Sequence, residues 1–127
     1  MTGIMQKIIL YLLKKVSLLK IFRTRVRVSD KVLRDAHIAV ENGALILDVR
    51  TQEEYKVKHV KNAVNIPVQQ LNKKYKDIPE DKEIVIYCRK GNRSQGAAKY
   101  LQERGRKVYD VATQKEWERK IPRHHYH

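Results

Sequence analysis

The stretch Ile84-Val85-Ile86-Tyr87-Cys88 constrains this chain more than any other. An apolar run rich in β-branched residues is what a strand buried on both faces requires. It passes through a short loop, Arg89-Lys90-Gly91-Asn92-Arg93, into Ser94 and a helical pattern that runs to Arg104 and is closed by Gly105. Cys88, the one cysteine of the chain, therefore stands at the carboxyl end of a buried strand, just before a helix N-terminus. That is the crevice where open α/β sheets bind ligands. The helix end supplies unpaired N–H groups and a partial positive charge, both favourable to an anion. With Arg89, Lys90 and Arg93 close by, these surroundings favour the thiolate, the reactive form of cysteine. Cys88 reads as a nucleophile, against the plainer alternative of a small buried hydrophobe.

The remaining segments alternate in the same way. Val26-Arg27-Val28 has the alternation of a short strand. Ser29 or Asp30 can cap a helix over Lys31–Glu41, with Val32, Leu33, Ala36 and Val40 inward and Gly43 ending it. A buried strand over Ala44–Leu47 ends at Asp48. Thr51 and Glu54 have the spacing of a capping box for a short helix. Ala63–Ile66 reads as a short strand stopped by Pro67, Gln69–Tyr75 as a brief helix, and 77–81 as a loop. Lys107–Val111 is a last strand, and Thr113–Lys120 a last helix carrying Trp117. Strands alternating with helices predict an α/β fold, a mostly parallel sheet with helices on both faces.

Two segments carry a family resemblance. Cys88-Arg89-Lys90-Gly91-Asn92-Arg93-Ser94 resembles the active-site loop of the rhodanese family of sulfurtransferases. Leu45-Ile46-Leu47-Asp48-Val49-Arg50-Thr51-Gln52-Glu53-Glu54-Tyr55, followed by His59-Val60, Ala63 and Asn65-Ile66-Pro67, resembles that family's other signature. The likeness runs from about Val26 to Trp117. It implies a three-layer sandwich around a five-stranded sheet, and a cysteine that takes the outer sulfur of a donor such as thiosulfate as a persulfide. The partners implied are a small sulfur-containing anion and a thiol acceptor, with cyanide as the acceptor of the test tube; no cofactor and no metal are implied.

Roles follow by position. Cys88 is the nucleophile, and Arg89 and Lys90 stand at the rim to attract an anionic donor. Gly91 and Asn92 are the residues that most readily take the positive φ of a curled loop. Arg93 braces the loop, and Ser94 is placed to hydrogen-bond the sulfur. Asp48 and Arg50 are expected to pair with loop groups in support, and Arg50 and Glu54 to form a structural ion pair rather than react. His59 matches a family position without needing a catalytic part. Dual-specificity phosphatases share the fold, but their loop is one residue longer between cysteine and arginine. The shorter loop here suits one sulfur atom better than a tetrahedral phosphate. Three positions depart from the family. Lys58 and Asn62 stand where Gly is frequent, and Ala112-Thr113-Gln114-Lys115-Glu116-Trp117 lacks the Gly-Gly pair usual before the tryptophan.

Charge enters last. The chain has 28 Lys and Arg against 14 Asp and Glu, a net charge of +14, a surface that attracts anions of every kind. No stacking platform or motif for nucleic acid accompanies it, so no specific nucleic-acid partner is expected. Residues 1–25 form a basic, apolar extension, 26–121 the rhodanese-like domain, and 122–127 a His-rich tail read as solvated rather than metal-binding. Between 1 and 28 lie seven cations and no acid. Over 4–22, Met5, Ile8, Ile9, Leu12, Val16 and Leu19 share one helical face, while Lys14 and Lys15 interrupt any span. Three readings stand for this segment: an interfacial helix on anionic membrane, a helix packed on the domain or a second copy, and an uncleaved anchor. A basic membrane-associated module with a weak or vestigial site is thus the alternative to an enzyme. The lone cysteine is compatible with a reducing, cytoplasmic setting; the oligomeric state stays open.

Overall fold

The computed structural model describes residues 3–12 and 27–122. Helix α1 covers 3–12, and the rest of the predicted 4–22 helix, like residues 123–127 of the tail, lies outside the described residues. The domain then runs α2 (Asp30–Glu41), β1 (Leu45–Asp48), α3 (Gln52–Val57), β2 (Val64–Asn65), α4 (Leu71–Lys74) between two single 3₁₀ turns, β3 (Ile84–Cys88), α5 (Asn92–Gln102), β4 (Val108–Thr113) and α6 (Gln114–Trp117). The sheet is parallel throughout in the order β2-β1-β3-β4.

The sheet has four strands among the described residues, not the five expected. The predicted strand at Val26–Val28 does not form where it is described, because side chains take its polar groups. The Val28 N–H donates to Glu116 Oε2 at 3.4 Å, and its carbonyl accepts from Arg119 Nη2 at 2.7 Å. Arg119 also pairs with Asp30 at 2.7 Å, so the chain enters the domain through a side-chain clamp.

β3 is central and buried at every position. Its side chains alternate between the faces, as strand geometry demands. Ile84, Ile86 and Cys88 join Leu47, Val49, Leu71, Ala97, Ala98 and Leu101 in one core under α4 and α5. Val85 and Tyr87 join Leu33, Ala36, Ile46, Val111 and Trp117 in the other, under α2 and α6. That alternation decides which way the cysteine points: toward α5.

Local signals explain most element ends. Ser29 Oγ accepts from the Val32 N–H and caps α2, and Gly43 (φ +100°) turns the chain out of it. At α3, Thr51 Oγ1 accepts the Glu54 N–H while Glu54 Oε1 accepts the Thr51 N–H at 3.1 Å, completing the predicted capping box. α5 starts two residues before Ser94, capped by Gly91 at φ +95°. Of the family departures, Lys58 is extended (φ −163°) and needs no glycine. Asn62 sits in the left-handed region at φ +69°, which Asn tolerates.

The last departure is the sharpest. β4 carries a bulge opposite Ile86 and Tyr87, and beyond it Ala112 is held at φ +67°. Asp110 Oδ1 steadies the turn by accepting the Ala112 N–H at 2.9 Å. An L-residue in this region costs about 1–2 kcal/mol, so the missing glycine shows as local strain.

Candidate active site

The site is built where β3 ends and α5 begins. An α-helix leaves its first N–H groups without partners, and Gly91 at the N-cap of α5 has no side chain to cap them. The sulfur of Cys88 does so instead: Sγ accepts the Gly91 N–H at 3.0 Å and the Ser94 N–H at 3.2 Å. The positive φ of Gly91 folds the loop back so that its own N–H and that of the third helical residue converge on one atom. Two main-chain donors and the positive end of α5 thus face the thiol, an arrangement that stabilises negative charge there.

Cys88 is 1% exposed, yet it lines a cavity of about 330 Å³ together with Glu54, Arg89, Lys90, Asn92 and Arg93. The thiol is the floor and the loop side chains are the wall. Arg93 reaches across to Glu54 in a two-pronged ion pair, Nη1–Oε1 2.9 Å and Nη2–Oε2 3.2 Å. Mainly through the Arg93 hydrogen bonds, the Glu54 carboxyl is pulled down to about 2. Glu54 and Arg93 cancel each other, which leaves Arg89 and Lys90, both exposed, as the unmatched charges of the lining. A larger cavity of about 660 Å³ lies among Tyr75, Lys76, Glu80, Arg104, Gly105 and Arg106, away from the thiol.

Ser94 is fully buried, and its main chain, rather than its side chain, meets the sulfur. The hydroxyl donates to the Gly91 carbonyl at 3.2 Å and also lies by the carboxylate of Asp110. Burial pushes the Asp110 carboxyl up, against the pull of the Ala112 N–H and the Ser94 hydroxyl. One hydroxyl proton serves one of its two acceptors at a time, so Asp110 and the loop carbonyl compete for it.

Asp48 and Arg50 do not reach the Cys88 loop; they close a network of their own. The Asp48 carboxylate, fully buried, accepts the Arg50 main-chain N–H at 2.9 Å, Arg50 Nε at 3.0 Å and Nη2 at 2.7 Å, and the Tyr87 hydroxyl at 2.6 Å. Every lone pair has a donor, the condition under which a buried carboxylate is tolerated. Burial first, and then the bond to Asp48, raise the Tyr87 phenol above its usual range. The Tyr87 hydroxyl also accepts the Val60 N–H at 3.1 Å. This network fixes the segment after β1 against β3 from beneath the site. His59 stacks on Tyr55 with ring centroids 3.7 Å apart and does not line the cavity.

Sequence reasoning expected a structural ion pair of Arg50 and Glu54, but Arg50 pairs with Asp48 and Glu54 with Arg93, and it missed the parts of Tyr87 and Asp110. The capping-box spacing located Glu54 on α3 but gave no hint that Arg93 was its partner. A tyrosine inside a buried-strand run reads as apolar bulk, and nothing near Asp110 in sequence points to Ser94.

The fold and site together define a parallel α/β domain whose cysteine sits in a main-chain cradle at the carboxyl edge of the sheet. The Rhodanese-like domain family model matches residues 33–118, and the chain belongs to that family. Among curated relatives, it is 40% identical over 67 residues to the putative sulfur carrier protein YrkF of Bacillus subtilis, covering 52% of this chain and 36% of that one. It is 34% identical over 68 residues to a sulfurtransferase of Allochromatium vinosum, covering 54% of this chain and 64% of that one. The chain thus spans about a third of the first relative and just under two thirds of the second. Among solved structures, the rhodanese-related protein of Thermoplasma volcanium matches with a TM-score of 0.60 at 30% identity, over 71% of this chain and 91% of that one.

Proposed function

We propose that this chain is a rhodanese-type sulfurtransferase that carries sulfane sulfur as a persulfide on Cys88. The observation that carries the reading is the Cys88 sulfur accepting the Gly91 and Ser94 N–H groups at the floor of a cation-rimmed cavity. A sulfurtransferase among the relatives supports the reaction class.

An anionic donor such as thiosulfate enters past Arg89 and Lys90, which favour its charge. The Cys88 thiolate attacks the outer sulfur. The S–S bond of the donor breaks, sulfite leaves with the bonding electron pair, and a cysteine–sulfur bond forms. The cradle then holds the terminal persulfide sulfur and the charge that develops on it, the electrostatics of an oxyanion hole. Each such donor is worth about 3 kcal/mol at the transition state. An acceptor thiolate next attacks the terminal sulfur, taking it as a new persulfide and returning Cys88 as thiolate. No oxidant or reductant is consumed. The positions of Arg93 and Glu54 suit them to keep the loop curled through both steps.

Rapid mixing with excess thiosulfate and no acceptor tests this reading. The expected result is a burst of sulfite, one per chain, that stops until a thiol is added, with no burst from Cys88→Ser. Sulfite release by Cys88→Ser at the wild-type rate would reject it.

A further inference from the structure

The larger cavity, about 660 Å³, takes no part in the sulfur chemistry. Helix α5 leads to it from the thiol loop: Cys88 precedes the first residue of that helix, and Arg104 and Arg106 follow its last. At about 1.5 Å per residue, the 11 residues of α5 set the two places about 16 Å apart. Three cations, Lys76, Arg104 and Arg106, and one carboxylate, Glu80, line the cavity, with the Tyr75 ring beside them. Lys76, Glu80 and Arg104 are exposed. A volume of this size lies within the range of small-molecule sites.

Two of these cations are fixed in place, and none has a counter-ion. Arg106 donates through Nη1 to the Ile78 carbonyl at 3.2 Å and through Nη2 to the Pro79 carbonyl, while its Nε is buried without a partner. Arg104 donates through Nη1 to the Tyr100 carbonyl at 2.9 Å. Its guanidinium lies 3.4 Å from the centre of the Tyr100 ring and 5.6 Å from that of Tyr75. Among the described residues no carboxylate pairs with Lys76, Arg104 or Arg106. A partly buried guanidinium with an unmet donor and no counter-ion is unfavourable on its own. A bound anion offsets that charge.

The lining also selects the kind of anion. An arginine fork matches phosphate, and Arg104 spends only Nη1 on the protein among the described residues. Three cations against one carboxylate suit a phosphate monoester, which carries about −1.5 to −2 at neutral pH. Glu80 repels a fully deprotonated oxyanion such as sulfate, but it can accept from a hydroxyl. We infer that this cavity binds a phosphorylated small molecule that also carries hydroxyls, a sugar phosphate. Its phosphate lies against Arg104 and Lys76, with Arg106 as a fixed charge behind them, and a hydroxyl faces Glu80. The site stands apart from the sulfur chemistry, and neither depends on the other.

Isothermal titration calorimetry of the full chain tests it, with ribose 5-phosphate, inorganic phosphate, sulfate and ribose compared at constant ionic strength. Ribose 5-phosphate is expected to bind more tightly than either inorganic anion, and ribose to give no heat. Lys76→Gln and Arg104→Gln should each weaken the sugar phosphate by about fivefold. Both variants should release sulfite from thiosulfate at the wild-type rate, because neither residue lines the thiol cavity. Lys76→Gln keeps the test clear of folding effects, since its side chain holds no bond in the domain and its melting temperature should be unchanged. Three results would overturn the inference: no heat from ribose 5-phosphate at millimolar concentration, sulfate or phosphate binding as tightly as the ester, or unchanged affinity in both variants. A loss of binding in Arg89→Gln instead would place the ligand in the thiol cavity and overturn it equally.

Discussion

Glu54→Gln isolates the ion pair that joins α3 to the cysteine loop. Glutamine preserves the side-chain length and can still complete the capping box at this position, so the substitution removes the charge and little else. A carboxyl held near 2 rather than at its ordinary 4.5 represents a ceiling of about 3 kcal/mol. The Arg93 and Glu54 side chains are 31% and 20% exposed, so solvent screening reduces that ceiling. A figure of about 1–2 kcal/mol is expected, near the upper end for partly exposed pairs. The sign follows from the lowered value. The contribution is complete above about pH 4.5, where the unfolded carboxyl is ionised, and is lost as the pH falls toward 2. For a domain of this size that corresponds to a melting temperature about 5–10 °C lower at pH 7. Thermal unfolding followed by circular dichroism at pH 7 and at successively lower pH measures it, and the two proteins should converge near pH 2. An offset that stays the same at every pH would assign the loss to packing or to the cap. No offset at neutral pH would mean that the pair holds nothing together.

Three other substitutions probe the frame around the sulfur. Tyr87→Phe removes a hydroxyl that donates to Asp48 and accepts from Val60, leaving buried groups short of a partner. Urea unfolding should show a loss of about 1–3 kcal/mol, and an unchanged midpoint would refute the network's importance. Ala112→Gly relieves the φ of +67°. The relief of about 1–2 kcal/mol exceeds the entropic cost of glycine, about 0.5–1 kcal/mol. A small rise in stability is expected, and a fall would show that Ala112 is not strained. Gly91→Ala forces a side chain onto φ +95° beside the sulfur. The rate of sulfite release should drop by about tenfold or more, whereas an undiminished rate would contradict the role given to the loop's curl.

How far the fold could be read ahead depended on the range of the forces involved. The β-branched run at 84–86 announced β3, and Cys88 at its end followed from strand length alone. The Thr51–Glu54 box was legible to the residue because both halves of its bonding lie within one turn. Longer-range choices were not. Which carboxylate takes Arg50 and which takes Arg93 depends on how α3 lies against the loop, and no spacing in the chain encodes that. Val28 looked like a strand residue because its neighbours alternate, yet Glu116 and Arg119, some ninety positions away, claimed its N–H and carbonyl. Ser94 was read for its hydroxyl, whereas the structure uses its backbone. That exchange follows once Gly91 starts the helix two residues early and makes Ser94 the third residue of α5. Ala112 gave a trace, the absence of a glycine the family usually has, but only the bulge in β4 shows what that absence costs.

The central claim is that the sulfur of Cys88, held by two main-chain N–H groups, accepts and gives up a sulfur atom. Intact-mass measurement of the protein after incubation with thiosulfate and removal of the excess tests it most directly. The account predicts a gain of one sulfur atom, absent in Cys88→Ser and reversed when a small thiol is added. A wild-type mass that does not change, or an added sulfur that persists in Cys88→Ser, would contradict it.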